Sequence, residues 1–84
     1  MNSKTCLFDV EKIDDALVRD TLKEVFDILK ERGYNPVNQL VGYLMSGDPG
    51  YISNHKQARN KILKFDRSKI LELIIKEYIN KWEY

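Results

Sequence analysis

Apolar residues recur at helical spacing along most of the chain, and the few interruptions are strong turn-formers, so the sequence leaves little room for anything but helices. Leu17, Leu22, Val25, Phe26 and Leu29 form one stripe. Val37, Leu40, Val41 and Leu44 form a second, at i, i+3, i+4 and i+7. Ala58, Ile62 and Phe65 share a third face. Ile70, Leu71, Ile74 and Tyr78 share a fourth, with Trp82 packing near its end. Strand signals are nearly absent: no segment alternates over a useful length, and there is no Asn-Gly or Asp-Gly hairpin turn. The expected fold is all-α, a compact array of four to five short helices. It is closer to an orthogonal array than to a long parallel bundle, because the middle helices are short.

The boundaries follow from capping chemistry. Residues 1–13 read as a flexible N-terminal arm and residues 14–84 as a helical, dimerising domain. The first helix should begin near Asp14 or Asp15, whose carboxylates suit the positive end of a helix. Lys30 and Arg32 fall in its last turn, and Gly33 supplies the left-handed residue that stops it. Asn35 is a good N-cap for the second helix, and Pro36 fits its first position, where a missing N–H is harmless. The run Ser46-Gly47-Asp48-Pro49-Gly50 ends that helix. Ser53 or Asn54 can cap a third. Asp66 either caps a fourth or marks a bend in one continuous helix.

Size and composition set further bounds. A chain of 84 residues buries only roughly 60% of the surface its unfolded form exposes. Chains of this size often gain stability from disulfides, a metal or a second subunit. Cys6 is the only cysteine and His55 the only histidine, so a disulfide within the chain is excluded and neither a metal nor a cofactor is expected. Self-association is the remaining source of burial. The net charge of +1 gives no global attraction to nucleic acid or to an anionic membrane. No apolar run approaches the roughly 20 residues of a membrane span, and the N-terminus lacks the apolar core of a signal peptide. The expected location is cytoplasmic.

Catalytic constellations are missing. Cys6 and His55 are the only candidates for a nucleophile and base, and nothing near Cys6 except Lys4 would lower its pKa. Neither phosphate-binding fingerprint occurs, and Asp48 would repel a phosphate from the glycine-containing turn. The chain is therefore expected not to be an enzyme. Charge is segregated instead: residues 9–31 carry eight acids and four bases, and residues 53–69 carry six bases and one acid. Lys56, Arg59 and Asn60 fall at i, i+3 and i+4, on one face if this stretch is helical. With Lys64 and Arg67 they form either a solvated surface pairing with the acidic first helix or a docking site for an anionic partner. A dimeric helix-turn-helix-like DNA-binding protein, with the third helix as reader, is the alternative. Against it stand the small basic excess and a turn longer than three or four residues.

One run is more specific than any of these patterns: Gly33-Tyr34-Asn35-Pro36-Val37-Asn38-Gln39-Leu40-Val41-Gly42-Tyr43-Leu44-Met45-Ser46-Gly47-Asp48-Pro49-Gly50-Tyr51-Ile52. It closely resembles the signature of the IreB/ReoM family of small regulators, GYNPxNQxVGYLxSGDPxYI. The likeness continues through Ala58-Arg59-Asn60, Ile62, Lys64, Arg67 and the apolar stripe ending at Tyr78. Gly50 stands where Ala is usual, Leu63 where Arg is common, and Ser68-Lys69 in place of an acidic pair. The resemblance implies a helical homodimer that is a substrate of a PASTA-domain Ser/Thr kinase. It implies phosphorylation of a threonine in the N-terminal arm, and Lys4-Thr5-Cys6-Leu7-Phe8 matches that pattern, which makes Thr5 the implied site. It further implies control of peptidoglycan synthesis and cephalosporin tolerance. The unmodified protein would promote turnover of the UDP-N-acetylglucosamine enolpyruvyl transferase by the Clp protease machinery, and phosphorylation would relieve this. A phosphate on Thr5 is expected to alter how the arm lies against Lys56, Arg59 and Lys64. In the signature, Asn35, Pro36, Gly42, Gly47 and Pro49 have evident structural roles. Asn38, Gln39 and Asp48 either bond backbone groups or face a partner.

Overall fold

The computed structural model describes residues 10–82. Within them lie four α-helices: α1 (Val10–Glu31), α2 (Pro36–Ser46), α3 (Ala58–Ile62) and α4 (Arg67–Asn80). Two 3-10 turns, Pro49–Tyr51 and His55–Gln57, link α2 to α3. There is no strand among the described residues. The all-helical expectation therefore holds, except that α1, at 22 residues, is not short.

The helix stops are those the sequence requires. Gly33 adopts φ +92°, and Tyr34 N–H donates to Leu29 O at 3.0 Å, closing α1 with a Schellman-type turn. Asn35 Oδ1 then accepts from Asn38 N–H, and Pro36 opens α2. Gly47, at φ +77°, caps the far end, its N–H donating to Tyr43 O at 2.7 Å. Asp66 occupies the N-cap position of α4 in an extended conformation, so the last two helices are separate. No side-chain cap forms there, and Asp66 O accepts from Lys69 and Ile70 N–H instead.

The start of α1 departs from expectation. The helix begins at Val10 rather than near Asp14 or Asp15. No residue in Val10-Glu11-Lys12-Ile13 breaks a helix, and Asp15, mid-helix, holds two lysines of α4 instead of capping. Residues 1–9, with Thr5 and Cys6, lie outside the described residues.

The core lies along one side of α1, where Val18, Val25, Ile28 and Leu29 meet Tyr43 of α2, Ile52, Ala58 and Ile62 of α3, and Ile70 and Leu73 of α4. Leu22, Leu40, Leu44 and Phe65 pack around it, half-buried. Two of the expected stripes are rotated. On α2 the inward residues are Pro36, Leu40, Tyr43 and Leu44, while Val37 and Val41 are 60% and 51% exposed. Tyr43 wins the inward position because its ring buries more apolar area than either valine. On α4 the buried residues are Ile70 and Leu73, and Leu71, Ile74 and Tyr78 face outward. The lysines bound to Asp15 and the Glu77–Arg19 pair lie on the same side of α4 as Ile70 and Leu73, which fixes its rotation. Leu17 is likewise exposed, and Val18 takes its place in the core.

Candidate functional site

The polar run from Ser46 to Ser53 builds a braced loop between α2 and α3. Ser46 Oγ donates to Gly42 O at 2.7 Å and accepts from Asp48 N–H at 3.0 Å. Asp48 Oδ1 accepts from Gly50 N–H at 2.8 Å, capping the Pro49–Tyr51 turn. Gln39 Oε1 accepts from Ser53 N–H at 2.9 Å, tying the end of the loop back to α2. Asp48 and Gln39 thus satisfy backbone groups, the structural of the two roles open to them. The side chain of Asn38 is exposed and projects from α2. Gly42 permits a close approach, made by a ring and not by a second helix. A Cβ there would lie under 3 Å from three ring carbons of Tyr51.

The four cations expected to form one surface point in different directions. Arg59 Nε donates to Pro49 O at 3.1 Å and Ile52 O at 2.9 Å, holding the loop from within. Arg67 Nη1 donates to Leu44 O at 3.0 Å, and its guanidinium covers Gly47. Lys56 is not helical: it and Gln57 adopt φ +48° and +65°. Its i, i+3 relation to Arg59 therefore does not place the two on one face. Left-handed residues other than glycine cost on the order of 1–3 kcal/mol each. Here the Lys56 ammonium reaches Glu31, at 2.9 Å, where α1 ends. Lys64 is exposed and lines a cleft of about 370 Å³ with Asp14, Val18, Phe65, Asp66 and Lys69.

Much of the charge segregation is answered within the chain. Lys61 pairs with Glu24 at 3.3 Å, one turn or more from the Lys56–Glu31 contact, and α3 runs antiparallel to α1 along these bridges. The Lys56 hydrogen bond holds the Glu31 carboxyl below its usual range, with a smaller contribution from His55, whose Nε2 lies 3.9 Å away. Across the α1–α4 seam, Asp15 receives Lys69 at 2.8 Å and Lys76 at 3.0 Å, while Arg19 meets Glu77 at 3.1 Å. Hydrogen bonds from Lys69 and Lys76 lower the pKa of Asp15, and the bond to Asp15 raises that of Lys69. This seam was not anticipated. The spacing of Lys69 and Lys76, two helical turns apart on one face, is the signal that could have found it.

α3 has five residues, roughly 7.5 Å of helix, and its bases are turned to α1 and the loop. That removes the reader required by a helix-turn-helix. Among the described residues, no group of three or more His, Cys, Asp or Glu is placed to hold a metal ion. No helix among them is long and apolar enough to cross a membrane.

Large apolar side chains also remain accessible. Val37, Val41 and Met45 project from α2, a helix without a charged residue, with Tyr51 beside them over Gly42. Leu71, Ile74, Ile75, Tyr78 and Ile79 project from α4, and Trp82, just beyond its end, meets Tyr78 edge to face, 5.6 Å apart. Clusters of exposed apolar side chains are the surfaces small soluble chains commonly use to bind other proteins.

The sequence matches the IreB regulatory phosphoprotein family over residues 3–80. The chain belongs to that family. Membership covers the helices, the braced loop and the N-terminal stretch containing Thr5. A regulatory role exercised on other proteins agrees with a surface offering two apolar helix faces.

Proposed function

We propose that this chain is a cytoplasmic, phosphorylation-controlled regulator of peptidoglycan synthesis that works by binding proteins. In its unmodified form it promotes Clp-dependent turnover of the UDP-N-acetylglucosamine enolpyruvyl transferase. A PASTA-domain Ser/Thr kinase phosphorylates Thr5 and relieves that activity, raising wall synthesis and antibiotic tolerance. The single observation that carries this reading is the family match over residues 3–80, which includes Lys4-Thr5-Cys6-Leu7-Phe8.

The working form is a homodimer. Leu71, Ile75 and Ile79, facing outward on α4, with Trp82 just beyond its end, support this, because their burial would add apolar contact that a chain of 84 residues needs. The partner surface comprises the braced loop and the cations around it. Arg59 and Arg67 set the loop's shape, and the exposed Lys64 offers charge to an acidic partner, while the charge of Lys56 is answered by Glu31.

The test is incubation with a PASTA-type kinase domain and ATP, followed by intact-mass and peptide mass spectrometry beside a Thr5→Ala control. One phosphate on Thr5, absent from the control, together with a longer half-life of the transferase in cells, is the expected result. Modification confined to Ser3 or Ser53, or a transferase half-life indifferent to Thr5, would overturn the reading.

A further inference from the structure

The length of α1 limits where a phosphate on Thr5 can act within its own chain. Val10 and Glu31 are the ends of a 22-residue helix, about 31 Å apart at 1.5 Å per residue. Lys56 is bound at the Glu31 end, at 2.9 Å. Thr5 precedes Val10 by five residues, and five extended residues span at most about 18 Å. Lys56 therefore lies beyond the reach of its own arm. Lys64 is closer, but its cleft is lined chiefly by charged groups, Asp14 and Asp66 against Lys64 and Lys69, and offers the arm little apolar surface.

The α1–α4 seam is within range. Asp15, which holds Lys76 at 3.0 Å, lies about 7.5 Å along the helix from Val10, and Arg19 lies about 13.5 Å along it. Both cations are half-exposed, so a phosphate can approach them from solvent. From Arg19 a groove of about 290 Å³ continues between the helices, lined by Leu22, Leu73, Ile74 and Tyr78, with Lys81 at its rim. The four residues preceding Thr5 add roughly 14 Å of chain, enough to lie along it.

We propose that the phosphorylated arm docks in cis on this seam, its phosphate competing with Asp15 and Glu77 for Lys76 and Arg19. This rests on Thr5 being the modified residue. The arm is the occupant that reach and charge both favour: a phosphate of charge near −2 draws cations already positioned for carboxylates. Phosphorylation would thereby loosen the ties that fix α4 and change the apolar face it presents.

The experiment uses the full chain with phosphothreonine genetically installed at position 5. Titration by phosphorus NMR should place its second pKa at least about half a unit below the usual value near 6. Arg19→Gln with Lys76→Gln should abolish that shift, and Lys56→Gln should leave it intact. A nitroxide on Cys6, the only cysteine, gives a readout without altering the seam: amides of Arg19 and Lys76 should broaden more in the phosphorylated than in the unmodified chain. An unshifted phosphate, a shift lost with Lys56→Gln, or equal broadening in both forms would overturn the proposal. Because the phosphothreonine is installed directly, the kinase assay above judges whether Thr5 is modified, and this titration judges only where its phosphate lands.

Discussion

Gly42→Ala should destabilise this protein although it replaces a mid-helix glycine. In an ordinary helix the change would stabilise by about 1 kcal/mol, because glycine is the poorer helix former. Here the new methyl would lie under 3 Å from Cδ1, Cε1 and Cγ of Tyr51. Cγ is the root of the ring, so the side chain must leave as a whole. Tyr51 is 52% exposed, so roughly half of its surface, about 100 Å², is covered. At about 25 cal/mol per Å², uncovering it costs about 2.5 kcal/mol. The net expectation is a loss of about 1.5 kcal/mol, the difference of these two contributions.

A double-mutant cycle isolates the cause. Urea and thermal unfolding, followed by circular dichroism at fixed protomer concentration, should show Gly42→Ala lowering Tm by roughly 6–12 °C for a domain of this size. In a Tyr51→Ala background the same substitution should raise stability by up to about 1 kcal/mol. The coupling between the sites is then about 2.5 kcal/mol. Stabilisation by Gly42→Ala in both backgrounds would refute the reasoning, since it would mean that the ring does not rest on the glycine.

Asp15→Asn should lower the urea midpoint at pH 7 and flatten its dependence below about pH 4, near the ordinary aspartate value. The lowered pKa of Asp15 means that its contribution is complete above that value and is lost as pH falls through the native one. Lys69 acts oppositely: its raised pKa gives a contribution present below the ordinary lysine value of about 10.4 and lost as pH rises through the native one. Arg59→Ala should destabilise by about 1–3 kcal/mol in chemical denaturation, because the Ile52 carbonyl loses the Arg59 donor and the Pro49 carbonyl is left with Ile52 N–H alone. Lys64→Ala, at an exposed side chain, should change stability by less than about 0.5 kcal/mol. Ile75→Asp should abolish self-association in sedimentation velocity while helical circular dichroism is retained, since Ile75 faces outward on α4. A dimer surviving this change would exclude the outer face of α4 as the interface.

Most of the fold was legible because its stops are chemical. Gly33, Asn35, Pro36 and Gly47 can each do one thing well, and each does it. The faces of α2 and α4 were less legible for a physical reason. Both helices carry more apolar residues than one packing face requires, so periodicity alone does not say which set turns inward. On α4 the answer came from ion pairs with Asp15 and Arg19, contacts between residues roughly sixty positions apart. Lys56 and Arg59 do not share a helical face because Lys56 and Gln57 take left-handed backbone conformations, which helical spacing rules do not foresee. The loop was legible in part. Asp48 and Gln39 could be weighed for backbone bonding, but the arginines that brace it from α3 and α4 could not be read from spacing.

The pairing of α1 acids with α3 bases changes where partner recognition should be sought. A net excess of five positive charges over residues 53–69 looks like an electrostatic docking site when counted along the chain. In space Lys56 and Lys61 face Glu31 and Glu24, and Arg59 and Arg67 face carbonyl groups. Exposed ion pairs such as these contribute little stability and are screened by salt, but each one offsets a charge that a distant partner would otherwise feel. The remaining sources of binding energy are the apolar faces of α2 and α4, and these differ in kind. The α2 face is anchored to the braced loop and has no charged residue of its own. The α4 face depends for its orientation on ionic contacts with α1. A phosphate docked on those contacts, as proposed above, would act on α4 and leave α2 and its loop in place.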